Sequence, residues 1–223
     1  AVGYIGANGA GKSTTIKMLT GILAPTAGTA RTCGLDPMRE RRKLARRIGV
    51  VFGQRSQLWW DLPLRESFDI LAAIHSIEPR RAARRIDRLA ELLEMGPTLG
   101  QPVRSLSLGQ RMRAEVAAAL LHEPELVILD EPTIGLDVLS KARLREFLTE
   151  QRGEHGTTLF LTTHDMGDIE RLCERVLVVD HGRLAFDGTL TGLAATVGVD
   201  RVLVVDLDER AEPLHGIPHT QWL

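Results

Sequence analysis

The chain has 223 residues, 43% of them hydrophobic, which is typical of a folded globular protein. Lysine and arginine number 28 against 29 acidic residues, so the formal net charge of −1 gives no broad basic surface for nucleic acid. The most apolar stretches, residues 126–129 and 176–179, are far shorter than the roughly 20 residues of a membrane-spanning helix. These features exclude a spanning segment within the sequence and argue against direct nucleic-acid binding.

The first element is a short strand at residues 1–5 that leads into a glycine-rich turn. The turn, residues 6–13 with the sequence GANGAGKS, matches the phosphate-binding loop pattern and is followed by a helix that ends at Gly21. Glycines let successive backbone N–H groups approach a phosphate, while Lys12 reaches the outer phosphates and Ser13 can bind Mg²⁺. The strand, turn and helix therefore predict a nucleotide phosphate site.

A helical region follows, between two parts of the nucleotide-binding core. Residues 64–95 carry apolar side chains at helical spacing, and Pro79 is placed to begin a second helix there. A further alanine-rich helix begins near Gln110, and Pro124 ends it. We interpret this region as an α-helical insertion.

The later part of the chain alternates strands and helices. Residues 126–129 are typical of a parallel strand buried on both faces, with Asp130 and Glu131 at its carboxyl end, where open α/β sheets bind ligands. A second strand ends at His164, and residues 176–186 read as a hairpin. Taken singly, the acidic pair also fits a helix cap and the histidine a surface position. Because the acidic pair and the histidine both lie at strand ends, together they favour a ligand-binding site.

These motifs resemble, in order and spacing, those of the ATP-binding subunit of ABC transporters. The resemblance covers the chain to about residue 193, and residues 49–62 are most like those of bacterial two-component (ABC-2-like) export systems. The motifs that carry it are residues 6–13, 106–110, 126–131 and 134–137 and His164.

The resemblance implies an α/β fold, a P-loop NTPase core with a mostly parallel sheet and an inserted α-helical subdomain. Residues 1–195 would form the ABC ATPase domain, with the core in residues 1–58 and 113–195 and the helical subdomain in residues 59–112. Residues 196–223 would begin a C-terminal accessory region. Because the chain opens in mid-strand, we expect N-terminal strands, and the aromatic residue that stacks on adenine, to lie upstream.

Individual roles carry over by position, as the resemblance implies. Ser13, Gln54 and Asp130 would bind Mg²⁺, and Glu131 would act as general base or water-orienting group at the γ-phosphate of ATP. His164 would contact that phosphate, so the catalytic set is Glu131, His164 and Gln54. The residues expected to contact nucleotide are Gly6, Asn8, Gly9, Ala10, Gly11, Lys12, Ser13, Thr14, Ser107, Gly109, Gln110 and Asp137.

In the resembled family two such domains close head to tail, and the signature turn of one contacts ATP on the other. Ser107 and Gly109, at the start of a helix, would serve this purpose here, and Asp137 would lie at the seam. Leu108 replaces the glycine common in this turn. Because Ser107 and Gly109 remain, we expect the turn to keep its function.

The loop after residue 51 offers two glutamines and two tryptophans. Gln54 fits the family's metal-contacting glutamine best, with Gln57 as the alternative. Neighbouring side chains in an extended segment point opposite ways, so we expect one of Trp59 and Trp60 to be exposed. In the resembled family this loop abuts the membrane partner, and we predict that one tryptophan contacts it.

The resemblance thus predicts an ATPase subunit, with ATP and Mg²⁺, that energises a separate membrane permease, most simply an exporter. Its partners would be a second nucleotide-binding domain, identical or different, and the permease, with no direct nucleic acid. It would lie at the cytoplasmic face of the cell membrane. The alternative is a soluble ABC-type ATPase acting on nucleic acid or ribosomes, although such proteins usually carry two cassettes or a long coiled-coil insertion.

Overall fold

The structure is a computed structural model that describes residues 1–53 and 56–197. Residues 198–223, most of the predicted accessory region, lie outside the described residues. Two 3₁₀ turns, Gly96–Thr98 and Val103–Ser105, connect helices. The elements in chain order are β1 (Val2–Ile5), α1 (Lys12–Leu19), α2 (Arg41–Ala45), β2 (Ile48–Phe52), α3 (Leu64–Ile74), α4 (Pro79–Leu92), α5 (Leu108–Leu120), β3 (Leu126–Asp130), α6 (Val138–His155), β4 (Thr158–Thr162), α7 (Met166–Leu172), β5 (Arg175–Asp180), β6 (Arg183–Gly188) and α8 (Leu190–Val197).

The described strands form one sheet in the order β2-β3-β4-β1-β5-β6. Strands β1 to β5 pair in parallel, and β6 pairs antiparallel with β5, so the predicted mostly parallel sheet and the terminal hairpin are confirmed. Asp130, the last residue of β3, lies opposite Thr162, the last residue of β4. The carboxyl ends of these strands therefore meet at one edge of the sheet, which is where an open α/β sheet binds its ligand.

The core lies between the sheet and the helices that cover it. Val127, Ile128 and Leu129 of β3 are fully buried, as expected for a parallel strand covered on both faces. The alanine-rich face of α5 approaches β2 so closely that a Cβ atom on Gly49 would overlap the carbonyl oxygen of Ala119. Small residues on both elements thus set the distance between helix and sheet.

The helical region packs onto the same core. Phe68 of α3 and Ile86 and Leu89 of α4 are buried in one apolar cluster that also contains β3 and α6 residues. Pro79 is the first residue of α4, as predicted, and the Glu78 side chain accepts hydrogen bonds from the first backbone N–H groups of that helix. Helix α5 crosses the predicted boundary at residues 112 and 113 without a break. The division into two subdomains stays a prediction.

Across the two described segments, no helix is both long enough and apolar enough to pass through a membrane.

Two histidines stack where α3 and α5 end beside β2. The rings of His75 and His122 lie 3.9 Å apart and nearly parallel. His122 Nε2 is 3.0 Å from the carbonyl oxygen of Ile48, a bond that requires the proton on Nε2. Burial, assisted by the neighbouring imidazole, lowers the pKa of His122 to about 4. The ring is therefore neutral in the folded protein at neutral pH.

Replacing Gly49 tests the close approach of α5. We expect Gly49→Ala to lower the free energy of unfolding by about 1–3 kcal/mol, because the added methyl group must displace the α5 backbone. Gly153, inside α6, has open space around it, so Gly153→Ala should raise stability by about 0.5–1 kcal/mol. Urea denaturation measures both. Equal effects of the two substitutions would contradict the packing argument.

The His122 environment predicts a pH dependence of stability. The unfolded chain binds a proton at His122 near pH 6.5 and the folded chain only near pH 4, so stability is present above pH 6.5 and is lost as the pH falls through this window. Relative to His122→Gln, the wild type should lose on the order of 2 kcal/mol between these pH values. Denaturation midpoints measured across the window give the difference, with the exposed His181→Gln as control.

Candidate active site

The glycine-rich loop between β1 and α1 has the conformation that its sequence demands. Gly9 and Gly11 have φ values of +81° and +108°, in the left-handed region that disfavours other residues. The backbone N–H of Gly182, in the β5–β6 turn, donates to the carbonyl oxygen of Ala10 at 2.9 Å. The hairpin therefore supports the loop from one side, and α1 begins directly after it at Lys12.

The Lys12 side chain is held within this loop. Its Nζ atom donates to the carbonyl oxygens of Gly6 at 2.7 Å and Ala7 at 3.1 Å, and the residue is only 9% exposed. An ammonium group has three donors, and these carbonyls engage two of them. The loop thus combines a fixed cation with the N-terminus of α1, two features that favour an anion.

The acidic pair lies at the carboxyl end of β3 and is bound to β4. Thr162 Oγ1 donates to Asp130 Oδ1 at 2.6 Å, and the backbone N–H of Glu131 lies 3.1 Å from both the carbonyl oxygen and Oγ1 of Thr162. Glu131 has a φ of +55°, a left-handed conformation uncommon for a residue with a side chain. Such backbone strain clusters at functional sites.

His164 and Glu131, predicted separately from the sequence, are in contact. His164 Nε2 lies 3.0 Å from Glu131 Oε1, a hydrogen bond when Nε2 carries the proton. The imidazole is about half exposed, whereas the carboxylate is mostly buried. Both side chains line an open cleft of about 470 Å³, together with Thr133, Thr163 and residues near them.

The turn before α5 is a complete helix cap. Ser107 Oγ accepts a hydrogen bond from the backbone N–H of Gln110, and Gln110 Oε1 accepts one from the backbone N–H of Ser107. A Cβ on Gly109 would lie 3.1 Å from Ser140 Oγ, so α5 begins beside the start of α6. The Ser140 hydroxyl and backbone N–H bind the Asp137 carboxylate and lower its pKa.

Within the described residues, the glycine-rich loop (residues 6–13) and the turn before α5 do not come together. The contacts found for Ser107, Gly109, Gln110 and Asp137 in the described part of the chain lie within α5 or at the start of α6, and none reaches residues 6–13.

Of the two candidate glutamines, the structure describes only Gln57. Gln54 lies outside the described residues, but a Cβ on the preceding Gly53 would be 2.8 Å from the Asp130 carbonyl oxygen. Gln57 was the alternative to Gln54, and its side-chain amide donates a hydrogen bond to the carbonyl oxygen of Glu115 at 3.2 Å. Burial raises the pKa of the Glu115 carboxyl, and hydrogen bonds from Ser56 and the Gln57 backbone act against that rise.

Comparison with known proteins identifies the family. Residues 1–134 match the family model described as ABC transporter. The chain belongs to the ABC transporter family. The confirmed fold and the order of the motifs agree with this membership.

Two relatives and one solved structure show how far the likeness to other ABC proteins extends. The chain is 38% identical to the daunorubicin resistance ATP-binding protein DrrA3 of Streptomyces coeruleorubidus, over 91% of this chain and 64% of that protein. It is 37% identical to the Nod factor export ATP-binding protein I of Paraburkholderia xenovorans (strain LB400), over 92% and 67%. The chain thus spans about two thirds of their length. A dimeric ATP-binding cassette with ADP and phosphate bound, in a post-hydrolysis state, has a TM-score of 0.76 at 25% identity, over 85% and 84%.

The leucine that departs from the ABC signature packs against a neighbouring loop. Leu108 is 42% exposed, and a Cβ on Gly135 would come within 2.8 Å of its Cδ2 atom. Gly135 itself has a φ of +71°. The larger side chain is therefore accommodated by a glycine in the segment that leads to Asp137.

Both tryptophans are exposed, whereas the sequence predicted one exposed and one packed in the core. Trp59 is 37% exposed and Trp60 is 50% exposed. The prediction assumed an extended segment, but the chain turns here, with the Leu62 backbone N–H donating to the Trp59 carbonyl oxygen. The Trp60 ring lies under the Arg111 guanidinium at 5.5 Å.

Sequence reasoning missed the buried polar residues that join the segments carrying Glu131 and His164. Thr133 and Thr163 are buried, and both hydroxyls donate to the buried carboxylate of Asp168. The available signal was weak, since Asp168 follows His164 by one helical turn and resembles an ordinary exposed helix residue. Only the tertiary arrangement shows that it is buried.

Replacing Lys12 tests the phosphate site. We expect Lys12→Ala to weaken nucleotide binding roughly 10- to 100-fold, because a charge-assisted contact to phosphate is lost. Lys17→Ala removes the same charge from an exposed position of α1 and should leave binding unchanged. Titration with a fluorescent ATP analogue measures both affinities. Equal affinity of the Lys12→Ala variant and the wild type would contradict the role of Lys12.

Proposed function

We propose that the chain binds and hydrolyses ATP and energises a separate membrane permease that exports its cargo. The observation that carries the proposal is the placement of residues 6–13 (the Lys12 loop), Asp130, Glu131 and His164 at one edge of the sheet. Two relatives are a daunorubicin resistance ATP-binding protein and a Nod factor export ATP-binding protein, which supports export over the nucleic-acid alternative. The net charge of −1 supports the same choice.

The residues at this edge divide the chemistry of phosphoryl transfer among them. Backbone N–H groups of the loop and Lys12 would hold the phosphates, where positioning and charge stabilisation provide most of the catalysis. Glu131 would orient the attacking water or accept its proton. His164, in contact with Glu131, would fix that carboxylate and approach the γ-phosphate.

The donor set fits Mg²⁺. Hydroxyl and carboxylate oxygens are the ligands that Mg²⁺ prefers, and Ser13 and Asp130 offer one of each. Thr162 fixes the Asp130 carboxylate through Oδ1. Gln54 is proposed as a further ligand from the position of Gly53 beside Asp130. Mg²⁺ would neutralise charge on the outer phosphates.

We further propose that a second nucleotide-binding domain completes the site. The capped N-terminus of α5 is exposed at Ser107 and supplies backbone N–H groups and positive potential to an anion. Its contacts within the described part of the chain lie away from the Lys12 loop, which favours a nucleotide held by a partner. A related ATP-binding cassette has been solved as a dimer with ADP and phosphate bound, which supports this arrangement.

The permease would bind near the exposed tryptophans, and the protein would then lie at the cytoplasmic face of the membrane. Trp60 lines a groove of about 270 Å³ with Arg111, Leu108 and Glu115. Exposed aromatic and arginine side chains are enriched at protein interfaces, which supports docking of the permease here.

Nucleotide-dependent dimerisation tests the proposal. In Glu131→Gln, slowed hydrolysis should let a dimer accumulate with ATP but not with ADP, because the γ-phosphate joins the two domains. Light scattering after gel filtration measures the mass. A monomer with ATP would contradict a homodimeric site.

A matched pair of substitutions in the Glu131→Gln protein tests the signature turn. Ser107→Arg should leave ATP binding nearly intact and prevent the dimer, because the bulky side chain occupies the proposed contact. Ser105→Arg places the same side chain two residues away, at another exposed position, and should still dimerise. Loss of the dimer in both variants would contradict a specific role of Ser107.

A further inference from the structure

A buried carboxylate binds the two segments that carry Glu131 and His164. Asp168, on α7, is 0% exposed. Its Oδ2 atom accepts hydrogen bonds from Thr133 Oγ1 at 2.6 Å and Thr163 Oγ1 at 2.7 Å, and its Oδ1 atom accepts one from Arg145 Nε at 2.6 Å. A buried charge is costly unless it is paired and hydrogen-bonded, and this one is both. We call these four residues the Asp168 cluster.

The two threonines belong to the segments that carry the proposed reacting groups. Thr133 follows Glu131 by two residues, and Thr163 directly precedes His164. Both threonines are almost fully buried and line the same cleft as Glu131 and His164. One carboxylate oxygen therefore holds the β3–α6 loop and the β4–α7 loop at a fixed separation.

Ionic contacts also link the Asp168 cluster to Asp165 and to Lys141 of α6. Arg145 Nη2 also lies 3.2 Å from Asp165 Oδ2, and Lys141 Nζ donates to the same oxygen at 2.7 Å. The Lys141 ammonium is the main cause of the lowered pKa of Asp165. Because α6 begins after Asp137, the helix next to the proposed dimer seam is tied to the residue that follows His164.

We propose that Asp168 is a positioning residue for ATP hydrolysis, acting through Thr133 and Thr163 to set the contact between Glu131 and His164. This inference rests on the proposed function. Asp168 touches neither reacting group, so its effect passes through the backbone of the two loops. Apolar residues of similar size could fill the same space at lower cost, but they would not fix both loops to one atom within hydrogen-bond length.

Deleting single hydroxyls tests the proposal with little disturbance of packing. Thr163→Val and Thr133→Val each remove one donor to Asp168, and Thr163→Ser restores the hydroxyl. The matched control is Thr157→Val, since Thr157 is also buried, precedes the other end of β4 and donates to the Pro124 carbonyl oxygen. Asp168→Asn complements these variants by removing the charge while keeping the shape.

The expected result is a loss of turnover with little change in binding. In Thr163→Val, Thr133→Val and Asp168→Asn, kcat should fall roughly 10- to 100-fold, as small misplacements of reacting groups do. KM for ATP should change by less than about threefold, since the Lys12 loop is untouched. Thr163→Ser and Thr157→Val should keep kcat near that of the wild type. Unchanged kcat in the folded Thr163→Val and Asp168→Asn variants would overturn the proposal.

A second readout needs no hydrolysis. With ¹³C-labelled histidine, the Cε1 resonance of His164, assigned from His164→Gln, should shift in Thr163→Val and Asp168→Asn and stay in place in Thr157→Val. An unchanged resonance in the first two variants would overturn the positioning role. A wild type that binds but does not hydrolyse ATP would instead contradict the proposed function, so the two failures are distinguishable.

Discussion

The parallel alignment of β3, β4 and β1 is the constraint on which the rest of the site depends. Each strand contributes a different part at its carboxyl end: β3 the acidic pair, β4 the threonines and the histidine that follows them, and β1 the glycine-rich loop. A shift of β3 by one residue against β4 would separate Asp130 from Thr162 and leave the two side chains on opposite faces of the sheet. Because these strands are buried on both faces, the apolar core fixes their register. The register in turn positions the polar residues at the carboxyl ends of the strands.

Several of the strands and helices could be predicted from the sequence because each depends on local pattern. The loop residues 6–13, the buried run of β3 and Pro79 at the start of α4 follow from turn chemistry, periodicity and backbone restriction. The contact between Glu131 and His164 was not predicted, since the two residues are 33 positions apart and meet through sheet pairing. The exposure of both tryptophans was missed because a turn replaced the assumed extended segment.

Asp168 shows why the remaining part of the site could not be read from the sequence. Its neighbours along the chain suggest an ordinary polar helix, and its partners come from α6 and from two loops. Whether such a charge is buried depends on the tertiary packing of α6 and the two loops around it. Leu108 is a similar case, because its fit depends on the absence of a side chain at Gly135.

The left-handed backbone at Glu131 has a consequence for the evolution of this site. A residue with a side chain costs about 1–2 kcal/mol in that conformation, so glycine would be the more stable choice there. β-Branched residues would be worse, which leaves few substitutions that even fold well. Under the proposed function, stability and catalysis therefore favour different residues at this position, and the glutamate would be retained only while ATP turnover is required. A descendant freed from that requirement could become more stable by giving up the carboxylate.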